Sequence, residues 1–234
     1  MRKPGAERLY RMLARNHALA GTIESEDFAY ESLAVLQQFQ LDRIARSYAD
    51  LIRQENSRTA VNFFLSELYG GLDFRKRDQD MNKVMPLMVH FLPDRTLMTM
   101  SEAFELQAIS LEFDIAMAQY MSRKSIPRLD MAAYCGVYRA TGDQSDRERQ
   151  IMLIRKLGFD LEKLVKKPFV SLLARMMRGP AHAAGFGDLQ DFLESGLGSF
   201  RSLKDVREFV TIIYQREWDA MQKMFAGEEK PFGF

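Results

Sequence analysis

The sequence has one cysteine, Cys135, and three histidines, which leaves few residues for thiol or metal chemistry. A single cysteine excludes an internal disulfide and any zinc site built on cysteine pairs, and it suits a reducing compartment. The histidines are scattered, and no Glu-x-x-His pair of the di-iron carboxylate type is present. We therefore predict no metal site, and the sequence leaves any cofactor unknown.

The chain also lacks an excess of one charge and a long apolar run. Its 33 Lys and Arg balance 32 Asp and Glu, for a net charge of +1. Nucleic acid is therefore not an expected partner, because there is no global attraction to phosphate. The uncharged runs are far shorter than the roughly 20 apolar residues of a membrane span. We expect a cytoplasmic protein without a membrane span, for which a peripheral membrane contact through a local patch is an open alternative.

Strand-forming residues and helix breakers are scarce. The sequence has 9 Val, 10 Ile and 6 Thr against 26 Leu, 22 Ala and 15 Met, with only 14 Gly and 7 Pro. Leu, Ala and Met are good helix formers, whereas the β-branched residues favour strands. The composition therefore predicts an all-α fold, an irregular helical bundle of about eight or nine helices.

Apolar periodicity and capping residues divide the chain into predicted helices. A basic arm leads to Gly21, the loop GPAHAAGFG spans 179–187, and the tail after 226 is expected to fray. The linker at 122–130 separates an N-terminal helical half, 1–121, from a C-terminal helical half, 131–234, which we expect to pack as one unit. The predicted helices are 24–53, 59–69, 74–92, 95–121, 129–141, 145–157, 160–178, 188–199 and 203–225.

Several short motifs point to one family. They are FFLSELYGG at 63–71, the pair Arg77 and Asp78, the pair Lys167 and Pro168, and RGPA at 178–181. In these motifs the sequence resembles a family of uncharacterised bacterial all-helical proteins. The resemblance implies a bacterial source and a helical fold, and it implies no activity.

The most distinctive local feature is a basic segment without acidic residues. It extends from 163 to 187, so its cations could hold an anionic lipid or a phosphate-bearing ligand. Glycines before the helix predicted at 188 could add backbone N–H groups for an anion. The simpler alternative is a solvated helix face and a connecting loop. The candidate residues are Lys163, Lys166, Lys167, Arg175, Arg178, His182, Gly185 and Gly187.

The long helix predicted at 95–121 carries a polar stripe that includes Glu102, Glu105 and Glu112. Gln107 and Asp114 fall on its opposite, apolar side, where we expect both to be buried. A buried carboxylate is costly unless it is paired, so the pair marks either a structural network or a ligand pocket. An enzyme pocket around Gln107 and Asp114, or a haem held by His90, is the alternative function.

Methionine and phenylalanine are abundant, at 15 and 17 residues. Methionines between 85 and 121 could line an apolar groove, because the flexible thioether adapts to irregular partners, or they could be core. With no recognised catalytic motif, we expect a non-enzymatic helical binding or regulatory protein. It would recognise a partner helix or an apolar or anionic ligand, and homodimerisation would cover its exposed apolar surface.

Overall fold

The structure, a computed structural model, describes residues 3–63, 65, 83–86 and 88–234, which contain helices and no strand. The prediction of an all-α irregular bundle is confirmed. Residues 83–86 and 88–91 are helical, and most of the FFLSELYGG motif, together with Arg77 and Asp78, lies outside the described residues. The helices are α1 Pro4–Ile23, α2 Tyr30–Ser47, α3 Ala49–Arg53, α4 Glu55–Phe63, α5 Asp94–Arg123, α6 Met131–Ala140, α7 Gln144–Val165, α8 Pro168–Ala183, α9 Gly187–Ser202 and α10 Val206–Ala226.

The central element is α5, whose 30 residues span about 45 Å. Its start follows Pro93, whose backbone is extended, and its last turn ends at Arg123. Helices α1, α2 and α7 all pack against it. Because neighbours cover several sides, buried residues occur around most of its circumference, the charged Glu102 and Glu105 included.

The prediction of a basic arm before Gly21 was wrong, because α1 is a 20-residue helix packed along α5. Leu9 and Leu13, one turn apart, are fully buried. Asn16 is also buried and donates hydrogen bonds of 2.8 Å to the carbonyl oxygens of Met12 and Phe104. Of the arginines that suggested an arm, Arg8 and Arg15 face α5, where Arg8 binds Glu105 and Arg15 binds Glu112 with distances of 2.6 and 2.8 Å.

Gly158 does not end a helix, as the sequence predicted, but lies inside α7. It is the contact point with α10, since a Cβ atom there would lie 2.6 Å from Cγ2 of Val210. The helix instead ends before Pro168, which opens α8. One predicted helix, 160–178, is therefore shared between α7 and α8, because proline disfavours helical geometry in the residue before it.

In the described ranges, three apolar clusters form the core, and each draws on both halves of the chain. Val61 and Val210 both belong to the first, Met117 and Met221 to the second, and Leu9 and Leu189 to the third. The division at 122–130 stays a prediction. The methionines expected in an open groove are largely core, since Met85, Met117 and Met121 are fully buried.

The tail after Ala226 was predicted to fray, and this was wrong. Gly227 adopts a left-handed conformation with φ 82°, which turns the chain back at the end of α10. Pro231 is buried, and Phe232 packs against the second cluster with the Arg43 guanidinium 4.7 Å from its ring centre. Across the described ranges, no helix has both the length and the apolar character that spanning a bilayer requires.

Candidate functional site

A surface groove of about 190 Å³ lies between the start of α5 and the end of α7. We call it the basic groove, because three of its seven lining residues are cations. Its walls are formed by the first two turns of α5, the last two turns of α7 and the residue before Pro168. The lining residues are Arg95, Thr96, Thr99, Asp160, Lys163, Leu164 and Lys167.

The start of α5 and the end of α7 bring these side chains together. On α5, Arg95 and Thr99 are four residues apart and therefore share a face of the helix, which Thr96 joins. On the other side α7 stops at Val165, and Lys167 takes an extended backbone with φ −84° and ψ 118°. The break that Pro168 imposes thus turns Lys167 toward the groove instead of continuing the helical spiral.

Among the described residues that line the groove, Asp160 is the one carboxylate, and lysines already bind it. Asp160 accepts hydrogen bonds of 2.9 Å from both Lys156 and Lys163. Burial alone would raise the pKa of Asp160, but the hydrogen bonds from these lysines outweigh it and lower the pKa. Arg95 and Lys167 form no ion pair with any described residue. The groove therefore presents a net positive charge.

The other predicted cations do not reach this groove. Lys166 binds Glu162 at 2.7 Å, and Arg178 binds Glu194 of α9, with 3.2 Å between Nε and Oε1. Arg175 is exposed on α8. Of the predicted residues, only Lys163 and Lys167 line this groove, and nothing in the local sequence indicated that Arg95, Thr96 and Thr99 of α5 would lie beside them.

The predicted loop at 179–187 is mostly helical, because α8 continues through Gly179 and Pro180 to Ala183. Gly185, with φ 82°, makes the turn into α9. The ring of His182 covers the start of α9, since a Cβ atom on Gly187 would lie 2.5 Å from its Nδ1. His182 Nε2 also lies 3.1 Å from Asp191. The anion contact at Gly185 and Gly187 stays a prediction.

A second, more open cavity of about 440 Å³ lies between the first turns of α1 and the residues Pro86, Val89 and His90. His90, the proposed haem ligand, is exposed at this cavity, and its ring meets the ring of Phe91 edge-on. Lys3 lies beside it and donates to the carbonyl oxygens of Val89 and Leu92. In the part of the chain that the structure describes, no three His, Cys, Asp or Glu side chains are grouped to hold a metal ion.

Asp114 belongs to an interior polar cluster between α2, α5, α6 and α7. Its Oδ1 accepts a hydrogen bond of 3.0 Å from Gln40 of α2. Burial raises the pKa of Asp114 to about 6, while the Gln40 hydrogen bond and the charge of Arg147 oppose the rise. Gln107 and Asp114, which the sequence predicted to be buried, are both at least partly buried. Neither lines the two cavities described above.

Arg147 is the member of this cluster that the sequence did not reveal. Its guanidinium carbon lies 3.6 Å from the ring centre of Phe113 and 3.9 Å from that of Tyr138, so two rings enclose the cation. Nη2 lies 3.5 Å from the sulfur of Met117, and Nε is buried without a hydrogen-bond partner. Burial lowers the pKa of Arg147. The surrounding sequence, QSDRERQ, is polar and charged, which is typical of a solvated helix surface, so the sequence did not indicate that Arg147 is buried.

We expect Asp114→Asn to stabilise the protein at pH 8. A pKa raised from 3.8 to about 6 means that the ionised carboxyl is disfavoured in the folded state. The resulting cost, about 2–3 kcal/mol, is complete above pH 6 and disappears as pH falls below 4. Urea unfolding should therefore show a gain for the variant at pH 8 and none at pH 4.

The control for this experiment is Asp50→Asn. The hydrogen bond from Arg216 lowers the pKa of Asp50 to about 2, so its charge favours folding above pH 4. This variant should be less stable than the wild type at pH 8, whereas Asp114→Asn should be more stable. A loss of stability in both variants would contradict the interpretation of Asp114 and would indicate that Arg147 holds it ionised.

Comparison with known proteins gives a family and no activity. No curated protein matches the chain, and no solved structure does. One family model matches residues 23–231, nearly the whole chain, and its description is Domain of unknown function (DUF8198). The predicted resemblance to an uncharacterised family is thus confirmed. The chain belongs to the family described as Domain of unknown function (DUF8198).

Proposed function

We propose that this is a non-enzymatic binding protein that holds a small anionic ligand in the basic groove. The observation that supports it is the convergence of Arg95, Lys163 and Lys167 on a groove whose one carboxylate is already bound by two lysines. Charge-assisted hydrogen bonds from Lys and Arg are the strong contacts of phosphate and carboxylate recognition.

The dimensions and lining of the groove agree with this proposal. A volume of about 190 Å³ suits a phosphate-sized or diphosphate-sized group rather than a large cofactor. Thr96 and Thr99 contribute hydroxyl groups at the wall. Of the described side chains that line it, none is a cysteine, histidine or serine, and Asp160, the carboxylate that could act as a general base, is already bound by two lysines, which favours binding over general-base chemistry.

The test is the double variant Arg95→Gln/Lys167→Gln, with inorganic pyrophosphate as the probe. Neither cation pairs with a described carboxylate, so their removal should leave the free energy of unfolding within about 0.5 kcal/mol of the wild type. We expect calorimetry at low salt to show pyrophosphate binding that weakens at least tenfold in the variant. Added salt should also weaken binding to the wild type, because the groove is exposed.

The matched control is Arg123→Gln/Lys124→Gln, which removes the same charge at the opposite end of α5. The two ends are about 45 Å apart, well beyond the reach of screened charge. This variant should bind pyrophosphate like the wild type. An equal loss in both variants would mean that net charge alone attracts the anion. If the wild type does not bind pyrophosphate at low salt, the proposal is contradicted.

Several broader expectations form part of the same proposal. They are homodimerisation, recognition of a partner helix, a bacterial source and a cytoplasmic location. The family resemblance supports the bacterial source, and the single cysteine supports the cytoplasmic location. The enzyme or haem alternative around Gln107 and Asp114 stays a prediction.

A further inference from the structure

Helix α8 is amphipathic, yet two of its large apolar side chains, Leu172 and Met176, are exposed. It packs against α9 and α7 alone among the described helices, apart from minor contacts. None of its described side chains is fully buried. Leu172 is 53% exposed and Met176 is 64% exposed, although both are large and apolar. The helix therefore lies at the periphery with an uncovered apolar patch.

A cation lies within this patch. Leu172, Arg175 and Met176 are spaced by three and four residues, so they share one face of α8. Arg178 is held by Glu194 of α9, whereas Arg175 forms no ion pair with any described residue. The sequence of α8 contains no Asp or Glu, and Lys167 directly precedes it. The exposed face thus combines apolar side chains with positive charge and has no acidic residue of its own.

We propose that α8 is a peripheral membrane-binding helix that lies flat on an anionic lipid bilayer. Leu172 and Met176 would enter the boundary between headgroups and acyl chains, and Arg175 would extend its guanidinium back to the phosphates. Anionic lipid is the occupant that fits both properties, because an uncharged apolar partner would leave the cation of Arg175 uncompensated. This contact does not depend on ligand binding in the basic groove.

The test variant is Leu172→Ser/Met176→Ser in the full chain, which changes no charge. Both positions are exposed, so folding should be unaffected. We expect the wild type to sediment with vesicles of one part phosphatidylglycerol to one part phosphatidylcholine, and not with pure phosphatidylcholine. The bound fraction of the variant should fall at least fivefold, while its pyrophosphate binding stays at the wild-type level.

Met152→Ser is the matched control, because Met152 is 49% exposed but lies on α7. It should bind the mixed vesicles like the wild type. Three results would overturn the proposal: no wild-type binding to the mixed vesicles, equal binding to pure phosphatidylcholine, or an equal loss in the Met152 and α8 variants. Loss of pyrophosphate binding in the α8 variant would also count against two separate surfaces.

Discussion

Replacing Gly5 with alanine is expected to destabilise the fold by about 3 kcal/mol, although alanine is the better helix former. A Cβ atom at this position would lie 2.5 Å from the carbonyl oxygen of Asp94 and 2.8 Å from the nitrogen of Met98. Both are backbone atoms of α5, so no side chain can rotate away, and α1 has to move outward. Overpacking of this kind typically costs about 1–3 kcal/mol, and a rigid backbone neighbour favours the upper end.

The same movement would weaken a hydrogen bond, because the amide of Gly5 donates to Oδ1 of Asp94 at 2.8 Å. Chemical denaturation followed by circular dichroism measures the change. Gly21→Ala is the control, since Gly21 is in the same helix and nothing lies within 4 Å of its added Cβ atom. That variant should be unchanged or slightly more stable, by helix propensity alone. Equal stability of the two variants would contradict the close approach of α1 and α5.

The second large effect is expected at Glu105, which α1 and α7 enclose. Its side chain is only 8% exposed and is bound by Arg8 of α1 and, at 2.7 Å, by Arg149 of α7. Glu105→Ala removes the shared carboxylate and leaves two arginines side by side. Breaking a buried ion pair costs about 3–5 kcal/mol, and we expect about 3 kcal/mol because Arg149 is itself largely exposed.

Glu112→Ala provides the comparison on the same helix. Glu112 also pairs with an arginine of α1, Arg15, but both side chains are more than a third exposed. Exposed pairs typically contribute less than about 1 kcal/mol, so this variant should be only mildly affected. Urea unfolding of both variants measures the two changes in the free energy of unfolding. A Glu105 effect no larger than that of Glu112 would mean that water, rather than protein, surrounds the Glu105 carboxylate.

The fold class and the longest helix were predictable, whereas the charge network around α5 was not. Composition indicated an all-α fold, and the apolar run after Pro93 indicated α5. The sequence showed that Glu102 and Glu105 belong to a polar stripe, but not that basic side chains of α1 and α7 cover this stripe from two sides. Periodicity identifies the face of a helix that carries charge, and it cannot tell whether an oppositely charged helix packs there.

For a related reason, only the α7 side of the basic groove could be predicted from the sequence. Lys163 and Lys167 stood out because no acidic residue separates them, but their partner Arg95 is about 70 residues away in sequence. Arg147 shows the same limit, since its neighbours at 146 and 148 are acidic and the enclosing ring of Phe113 comes from another helix. Long-range pairing depends on how helices pack, which local composition does not encode.

Cys135 gives the molecule an internal reporter of structural opening. The residue is buried beside Tyr134 and Val137 in the second cluster, and burial raises the pKa of its thiol. A neutral, enclosed thiol reacts slowly with alkylating reagents, because the thiolate is the nucleophile and access is blocked. The alkylation rate of this thiol therefore measures how often α6 separates from its neighbours. A ligand that stabilises the bundle should lower this rate.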